Sequence, residues 1–344
     1  MKRLARAAAI ALSALAPLAA NAQFEWGGVL TEGREQNLRL SVGTIPEFEG
    51  MVTETTRRLY DVTGRPGSQS DAESYGTSDF NMEGPYGTLG LSFDSAWKFF
   101  RLQIDSSFLN PDTKTTARRD YYLSVGEDIE FNGKKYDHLM IPEGTEFEAS
   151  LFGNLTEITF QFVPFGVLLA DLVAINPSLG LGVLLFGGQY DIDAGSPTGV
   201  KTYQNPPEDF AVGGSSSGFV GLGAPQWGPG IEIRVGGPDG VVFDFEAQYL
   251  FSQYDGSTAW LTTADHRDKN LDFEHRNLRL RGQFEFPTGD LALTIGVVAQ
   301  FVETEGSVSS ISTDPDEILA LRERFDKNFN LTVNSLLLTV GFAF

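Results

Sequence analysis

The sequence predicts an all-β protein: a transmembrane, up-and-down antiparallel β-barrel of about ten strands, with eight or twelve as the alternatives, and long extracellular loops. Three observations carry this. Stretches of about nine to eleven residues, the length a tilted strand needs to cross a bilayer, place apolar side chains at every second position. The links between them alternate between tight turns and long segments. The composition suits strands: 38 of 344 residues are Gly, and Phe (27) outnumbers Tyr (10) and Trp (4) together. Mean hydropathy is only −0.12, because a polar lumen and polar loops offset lipid-facing stripes.

In chain order, residues 1–22 come first. Lys2, Arg3 and Arg6 precede an apolar run from Ala7 to Ala20, and Ala20-Asn21-Ala22 supplies an A-x-A site. A basic start, apolar core and small-residue site read as a secretory signal cut after Ala22. Residues 23–36 are expected as a periplasmic lead-in or partial plug, and residues 37–344 as one barrel domain. Leu38, Leu40 and Val42 open the first strand. Gly87, Leu89, Leu91 and Phe93 follow, then a turn at Asp94-Ser95-Ala96, then Phe100, Leu102, Ile104 and Phe108. Residues 145–163 read as one long strand or two turning near Gly153-Asn154, with Ile158, Phe160 and Phe162 on one face. Leu179, Leu181, Val183 and Leu185 make the next stripe.

The later stripes are Ile231, Ile233 and Val235; then Val241, Phe243, Phe245, Ala247 and Tyr249; then Leu278, Leu280, Phe284 and Phe286; then Leu291, Leu293, Ile295, Val297 and Phe301. The tight turns at 94–96, 237–240 and 287–290 and a link at 163–178 alternate with long segments at 46–84, 110–147, 194–228, 255–270 and 303–327. Residues 162–188 are largely apolar, but Pro164, Pro177 and several Gly oppose a spanning helix. Residues 167–174 are expected as a short helical or irregular periplasmic link. The Asn132-Gly133 pair signals a hairpin, assigned to an extracellular loop.

The chain ends on a strand in which Leu336, Leu338, Val340, Phe342 and Phe344 alternate with Thr339, Gly341 and Ala343. With the signal sequence and the amphipathic strands of residues 37–344, this end resembles the C-terminal strand of bacterial outer-membrane β-barrel proteins. The resemblance implies that Leu338, Val340, Phe342 and Phe344 form the signal read by the barrel-assembly machinery, and it implies an outer-membrane location. Gly341 falls at a different spacing from the end than is usual there, a position Thr339 holds instead.

If the apolar sets face lipid, their partners face the lumen. Arg101 and Asp105, Glu232 and Arg234, Asp244 and Glu246, and Arg279, Arg281 and Glu285 would then share one interior. Charges buried together persist when paired, so these nine residues are expected to form a structural ion-pair network or to line a gated small-solute path.

Chemistry is otherwise sparse. With no Cys, thiol chemistry, Fe–S clusters and Cys-ligated zinc are excluded. The chain carries 46 acidic against 25 basic residues, net −21, which opposes nucleic-acid binding. Most of the excess lies in the long segments, where divalent cations are expected to bridge it to lipopolysaccharide. His138, His266 and His275 are expected at or near extracellular positions. Asp265-His266 resembles one piece of the Asp–His site of omptins, ten-stranded outer-membrane proteases, but no segment matches the acidic pair those enzymes also need. Ser215-Ser216-Ser217 lies among glycines and reads as a flexible linker. Asp191 with Asp193, and Asp314 with Asp316 and Glu317, lack EF-hand spacing; the second group reads as a helix start, with Ile318, Leu321 and Phe325 as its stripe. No metal, cofactor or enzymatic activity is expected. The function expected is a structural or narrow-channel barrel, with a surface receptor or adhesin as the alternative and a hydrolase third.

Overall fold

The computed structural model describes residues 22–29, 35–58, 73–76, 85–110, 112–116, 121–131, 134–141, 143–193, 199–203, 208–212, 215–237, 240–257, 267–312 and 323–344. They hold eighteen strands and no helix. These are β1 (Ala22–Trp26), β2 (Gln36–Arg58), β3 (Glu73–Gly76), β4 (Tyr86–Ala96), β5 (Phe100–Leu109), β6 (Asp112–Thr116), β7 (Tyr121–Phe131), β8 (Lys134–Ile141) and β9 (Glu146–Phe162). There follow β10 (Phe165–Leu169), β11 (Val173–Asp193), β12 (Gly199–Tyr203), β13 (Glu208–Val212), β14 (Ser215–Val235), β15 (Val242–Ser257), β16 (Arg267–Thr288), β17 (Leu291–Ser312) and β18 (Glu323–Ala343).

Ten strands close into a barrel, in the order β2, β4, β5, β9, β11, β14, β15, β16, β17, β18 and back to β2, each antiparallel to its neighbours. The last strand therefore pairs with the first barrel strand. Gln36 and Phe344 lock that seam by exchanging backbone hydrogen bonds of 2.8 Å each way. β3 and β6 add short pairings to β2 and β9, while β7, β8, β12 and β13 form a separate four-stranded sheet. β7 and β8, the strands on either side of Asn132-Gly133, pair in that sheet with Phe131 opposite Lys134, so the barrel stays at ten.

The pairing register fixes the stagger. From Gln36 the partners run through Ser95, Leu102, Phe160, Leu181, Trp227, Phe251, Arg276, Glu303 and Thr332 to Glu49, back on β2. From 36 to 49 is thirteen residues, an odd number that would exchange the two faces of the wall. A bulge removes the conflict. Thr44 faces Leu336 and Glu47 faces Asn334, so Ile45 and Pro46 stand against the single residue Ser335. The effective shear is twelve (thirteen less the bulged residue), and Pro46, which has no N–H to give the ladder, sits where none is needed.

With parity restored, the barrel is inside-out relative to a water-soluble protein. Arg39 is fully buried while Leu38 and Leu40 on either side are exposed, and the same alternation holds along β5, β9, β15, β16, β17 and β18. Leu338, Val340, Phe342 and Phe344 all lie on the exposed face. An apolar outer belt around a polar interior suits lipid outside and charge within.

Several expectations need correction. β4 continues through Ala96, so the first turn is Trp97–Phe99 and Asp94 belongs to the wall. Of the two readings left open for residues 145–163, the structure has the single strand, β9. The expected periplasmic link at 167–174 is a hairpin: β10 pairs back on β11 through Ala170 and Asp171, both left-handed at φ 51° and 55°, the geometry of a tight two-residue hairpin turn. Ser215–Ser217, expected as linker, open β14 and pair with Asp193, Ile192 and Asp191. Strands of 21 to 23 residues, such as β2, β14 and β17, run about twice the length a bilayer needs, so the long segments are partly barrel. The helix expected from Asp314 lies outside the described residues, except that Phe325 is in β18.

Gly341 shows how tightly the seam is built. A Cβ added there would stand 2.1 Å from the Leu38 carbonyl oxygen and 2.7 Å from the Arg39 Cα, both backbone. Gly341→Ala should lower stability by about 1–3 kcal/mol, read as an earlier urea midpoint of the vesicle-folded protein. Gly87→Ala, whose added Cβ meets nothing within 4 Å, should leave the midpoint where it is.

Candidate functional site

The lumen changes character along its length. The short turns and both described chain ends, at Ala22 and Phe344, mark one mouth of the barrel, the periplasmic one by the usual asymmetry of such barrels. From that mouth β16 presents inward Glu285, Gln283, Arg281, Arg279, Asn277 and His275, and then Phe273. β5 presents Arg101, Gln103, Asp105 and Ser107, then Leu109; β9 presents Gln161, Thr159 and Glu157, then Leu155 and Leu151. β15 goes from Asp244, Glu246 and Gln248 to Leu250, and β2 from Arg39 and Ser41 to Ile45 and Phe48. A polar layer thus fills the periplasmic half, and an apolar layer with Leu184, Phe186, Val302, Leu331 and Val333 lies beyond it.

The polar layer is joined across the lumen. Arg281 reaches Asp94 on β4 at 2.6 Å and Glu246 on β15 at 2.7 Å, and Arg39 shares Asp94 at 2.5 Å. Arg101 pairs with Glu232, and Arg279 with Asp105. Arg234 pairs with Glu285 at 2.9 Å. Amides fill the gaps: Gln103 donates to both oxygens of Glu246 at 2.7 and 2.9 Å, and Gln161 donates to Gln103 at 2.7 Å and to Glu246 at 2.8 Å.

Above these ion pairs, Glu157 is held by neutral donors: Gln300 at 2.7 Å, and Gln226 and Thr159 at 3.0 Å. Because the Gln226 amide nitrogen faces Glu157, its carbonyl oxygen is the acceptor for Asn277 at 3.0 Å and His275 Nε2 at 2.9 Å. That leaves His275 Nδ1 to accept from the Thr304 hydroxyl at 2.7 Å. The layer draws on five guanidiniums (Arg39, Arg101, Arg234, Arg279, Arg281) and seven carboxylates (Asp94, Asp105, Glu157, Glu232, Asp244, Glu246, Glu285), a formal excess of two negative charges. Gln248 is buried with neither amide atom in a protein hydrogen bond, the kind of polar atom that buried water satisfies.

Residues 27–29, which follow β1, are tied to one side of the periplasmic mouth. Gly27 donates to the Pro164 carbonyl at 3.0 Å and Gly28 to the Lys98 carbonyl at 2.5 Å. Val29 donates to Asn176 Oδ1 at 2.8 Å, and Asn176 returns a hydrogen bond to the Val29 carbonyl at 3.2 Å and another to Glu232 at 2.6 Å. The expected lead-in is therefore tied at Val29 to the Glu232–Arg101 pair.

All nine residues expected to line the lumen do so. The sequence reading missed Arg39, Glu157 and Asp94. Arg39 lies between Leu38 and Leu40 and Glu157 beside Ile158, so both carried the same signal as the nine; Asp94 was hidden in what read as a turn. His275 is a correction: it is fully buried within the barrel instead of extracellular. His138 lies in β8 of the separate sheet, whereas Asp265 and His266 lie outside the described residues. Among the described residues, no three His, Asp or Glu side chains gather in a group able to hold a metal ion.

Fold and lumen together define the class: a closed ten-stranded β-barrel of the outer-membrane type, with a charged interior. No family model matches the chain, and no curated protein matches it. Among solved structures it is similar to the outer-membrane protease OmpT from Escherichia coli, at 9% identity over 88% of this chain and 96% of that one, with a TM-score of 0.35. It is also similar to a FadL homologue from Pseudomonas aeruginosa (9% identity, 90% of each chain, TM-score 0.22) and to the P. putida toluene transporter TodX (10% identity, 90% of each chain, TM-score 0.23). At these values none of their residues is carried onto this chain, and the architecture rests on its own strand pairing.

Removing one partner of a buried ion pair strands the other. Arg281→Ala, which deprives Asp94 and Glu246 together, should cost about 3–5 kcal/mol in urea unfolding of the vesicle-folded protein. Lys114→Ala removes an ion pair whose two side chains are largely exposed and should leave the midpoint unchanged.

Proposed function

We propose that the protein is a sealed structural barrel of the outer membrane, non-conducting and non-enzymatic. The observation that supports this is the bonding of opposite walls across the lumen. Gln300 on β17 donates to Glu157 on β9, five places away on a ring of ten, and Gln103 on β5 donates to Glu246 on β15, four places away. A solute would have to break these contacts and then part the apolar layer above them. Either layer alone closes a barrel only slightly wider than the eight-stranded kind, whose side chains fill it. His275, enclosed by Gln226 and Thr304, has no access for a substrate.

A second reading, surface binding, is favoured by the length of the strands. β2, β16 and β17 continue well past the apolar belt, and β7, β8, β12 and β13 form a sheet apart from the barrel. In this reading the barrel is a stem that holds β-structure outside the cell, with acidic loops bridged to lipopolysaccharide by divalent cations. Export by cleavage after Ala22 and assembly through the exposed Leu338–Phe344 face complete the proposal.

Planar-bilayer recording tests the sealed barrel. The reconstituted protein should add no stepwise conductance. Arg279→Ala combined with Arg281→Ala should add none either, because Leu109, Leu184 and Phe186 still close the lumen above. Discrete steps from the unsubstituted protein would mark a channel and end the structural reading.

A further inference from the structure

We propose that the two-stranded flap formed by β1 and β10 is a lipid-docking surface, its aromatic face seated at the headgroup–acyl boundary of the periplasmic leaflet. β9 leaves β11 at the Phe162–Leu179 pair, and after Val163-Pro164 the chain resumes as β10, lower on the same strand, opposite Val173–Ile175. β1 then pairs with β10 along all five residues of each. The flap is thus a local continuation of the barrel wall past the Trp97–Phe99 turn.

Parity fixes which face is which. Asn176 points inward, so Ile175 points outward. Val167 lies opposite Ile175, Phe24 opposite Val167, and Trp26 opposite Phe165. Phe24, Trp26, Phe165 and Val167 therefore extend the lipid-facing side of β11. The opposite face carries Glu25 and Gly166, where an added Cβ would meet Asn176 Oδ1 at 2.6 Å and Val29 at 2.8 Å, the lumen side.

Trp26 is 71% exposed and Phe24 58%, far more than a chain in water leaves unburied in one cluster. Phe24 stacks on Phe165 at 5.3 Å and meets Trp26 edge-on at 5.4 Å. Exposed Trp97, Phe99 and Phe100 carry the same character along the neighbouring rim, and Phe100 stacks on Phe160 of the belt itself. Continuity with that belt selects lipid as the occupant. Trp26, with Trp97 on the neighbouring rim, marks the interfacial depth, where tryptophan concentrates. Gly27 then turns the chain inward at φ 82°, with the Lys98 carbonyl 2.5 Å from where a Cβ would be, and leads to Val29 on Asn176. Lipid held outside and Val29 tied to Asn176 are two ends of one short segment, residues 23–29 of the chain cut after Ala22.

The chain has no Cys, so single-Cys probes report cleanly. Phe24→Cys, Trp26→Cys, Glu25→Cys and, in mid-belt, Phe284→Cys are labelled with an environment-sensitive fluorophore. Each protein is purified from membranes and reconstituted in phosphatidylcholine vesicles with or without lipid bearing a nitroxide high on the acyl chain. Probes at 24 and 26 should be quenched about twofold or more over the probe at 25, the alternation of a strand with one face in lipid. Equal, weak quenching at 24, 25 and 26 with strong quenching at 284 overturns the flap proposal while leaving the barrel in the membrane. No quenching at 284 overturns the transmembrane reading itself. Shielding at 24 and 26 that grows with the protein-to-lipid ratio assigns the face to a second copy and also overturns the proposal. Trp26→Phe, a conservative change, supplies an independent reading: brominated lipid should quench the unsubstituted protein's tryptophan emission more than the variant's.

Discussion

A closed wall whose two sides face opposite solvents has to return to its starting strand with the same side inward. Here the stagger met on the way round is odd, and one bulged residue, at Ile45-Pro46, makes it even. Everything placed inside depends on that. Without the bulge, the register that puts Arg39 in the lumen along the lower half of β2 would turn Phe48 toward lipid in the upper half. The bulge sits where β2 passes from polar to apolar inward residues, just above Ser41 and Gly43. It lies in the seam between the first and last barrel strands, along which Gly341 and Gly43 admit backbone so close that no side chain fits. Closure, parity and close approach are therefore settled by a few residues along one seam.

Given closure, the interior follows from the loss of the usual driving force. Lipid outside removes the reason to bury Leu and Phe, so the membrane-level lumen can be polar if each group finds a partner from another wall. Guanidiniums with several donors serve this well, because one Arg spans carboxylates on different strands, as Arg281 does for Asp94 and Glu246. Gln103, Gln161, Gln226, Gln283 and Gln300 do the remaining work, each with a donor and an acceptor that can turn to suit. The seven carboxylates outnumber the guanidiniums, and the one set apart, Glu157, is the one held by neutral donors at the border of the apolar layer. A buried carboxylate there accepts hydrogen bonds from amides without requiring a sixth Arg among hydrophobic side chains.

Much of this was legible. Period-two alternation located the ten wall strands and, by partner, nine lumen charges, because lipid on one face leaves no freedom about which residues point outward. The termini of the strands were much less legible. Above the belt both faces meet polar surroundings, so the alternation fades: Ser215–Ser217 looked like a linker and yet pair with Asp191–Asp193. Ala170 and Asp171 take a left-handed turn that Gly or Asn would have announced. Asp94 sat in a stretch with the composition of a turn, and only its register opposite Asn37 shows it to be wall. The cross-lumen partners could not be read at all, since the alternation says that Arg101 points inward but not that Glu232, 131 residues later, is what it meets.

The apolar layer gains a meaning from where the chain's acidity lies. Only two of the net negative charges belong to the lumen. Just beyond the belt the outer wall turns acidic: Glu303 follows Phe301 on β17, Glu274 stands above Arg276 on β16, and Asp191, Asp193 and Glu47 lie at similar positions on β11 and β2. Were the lumen open at that level, water and cations drawn to this collar would reach the guanidiniums and compete for their carboxylates in a high dielectric, where such pairs are worth little. In the sealed reading, the buried Leu109, Leu184, Phe186, Val302 and Val333 hold that water off. At the other end Val29 bonds Asn176 beside Glu232, so in the sealed reading the geometry of the pairs, more than the ionic surroundings, decides their strength.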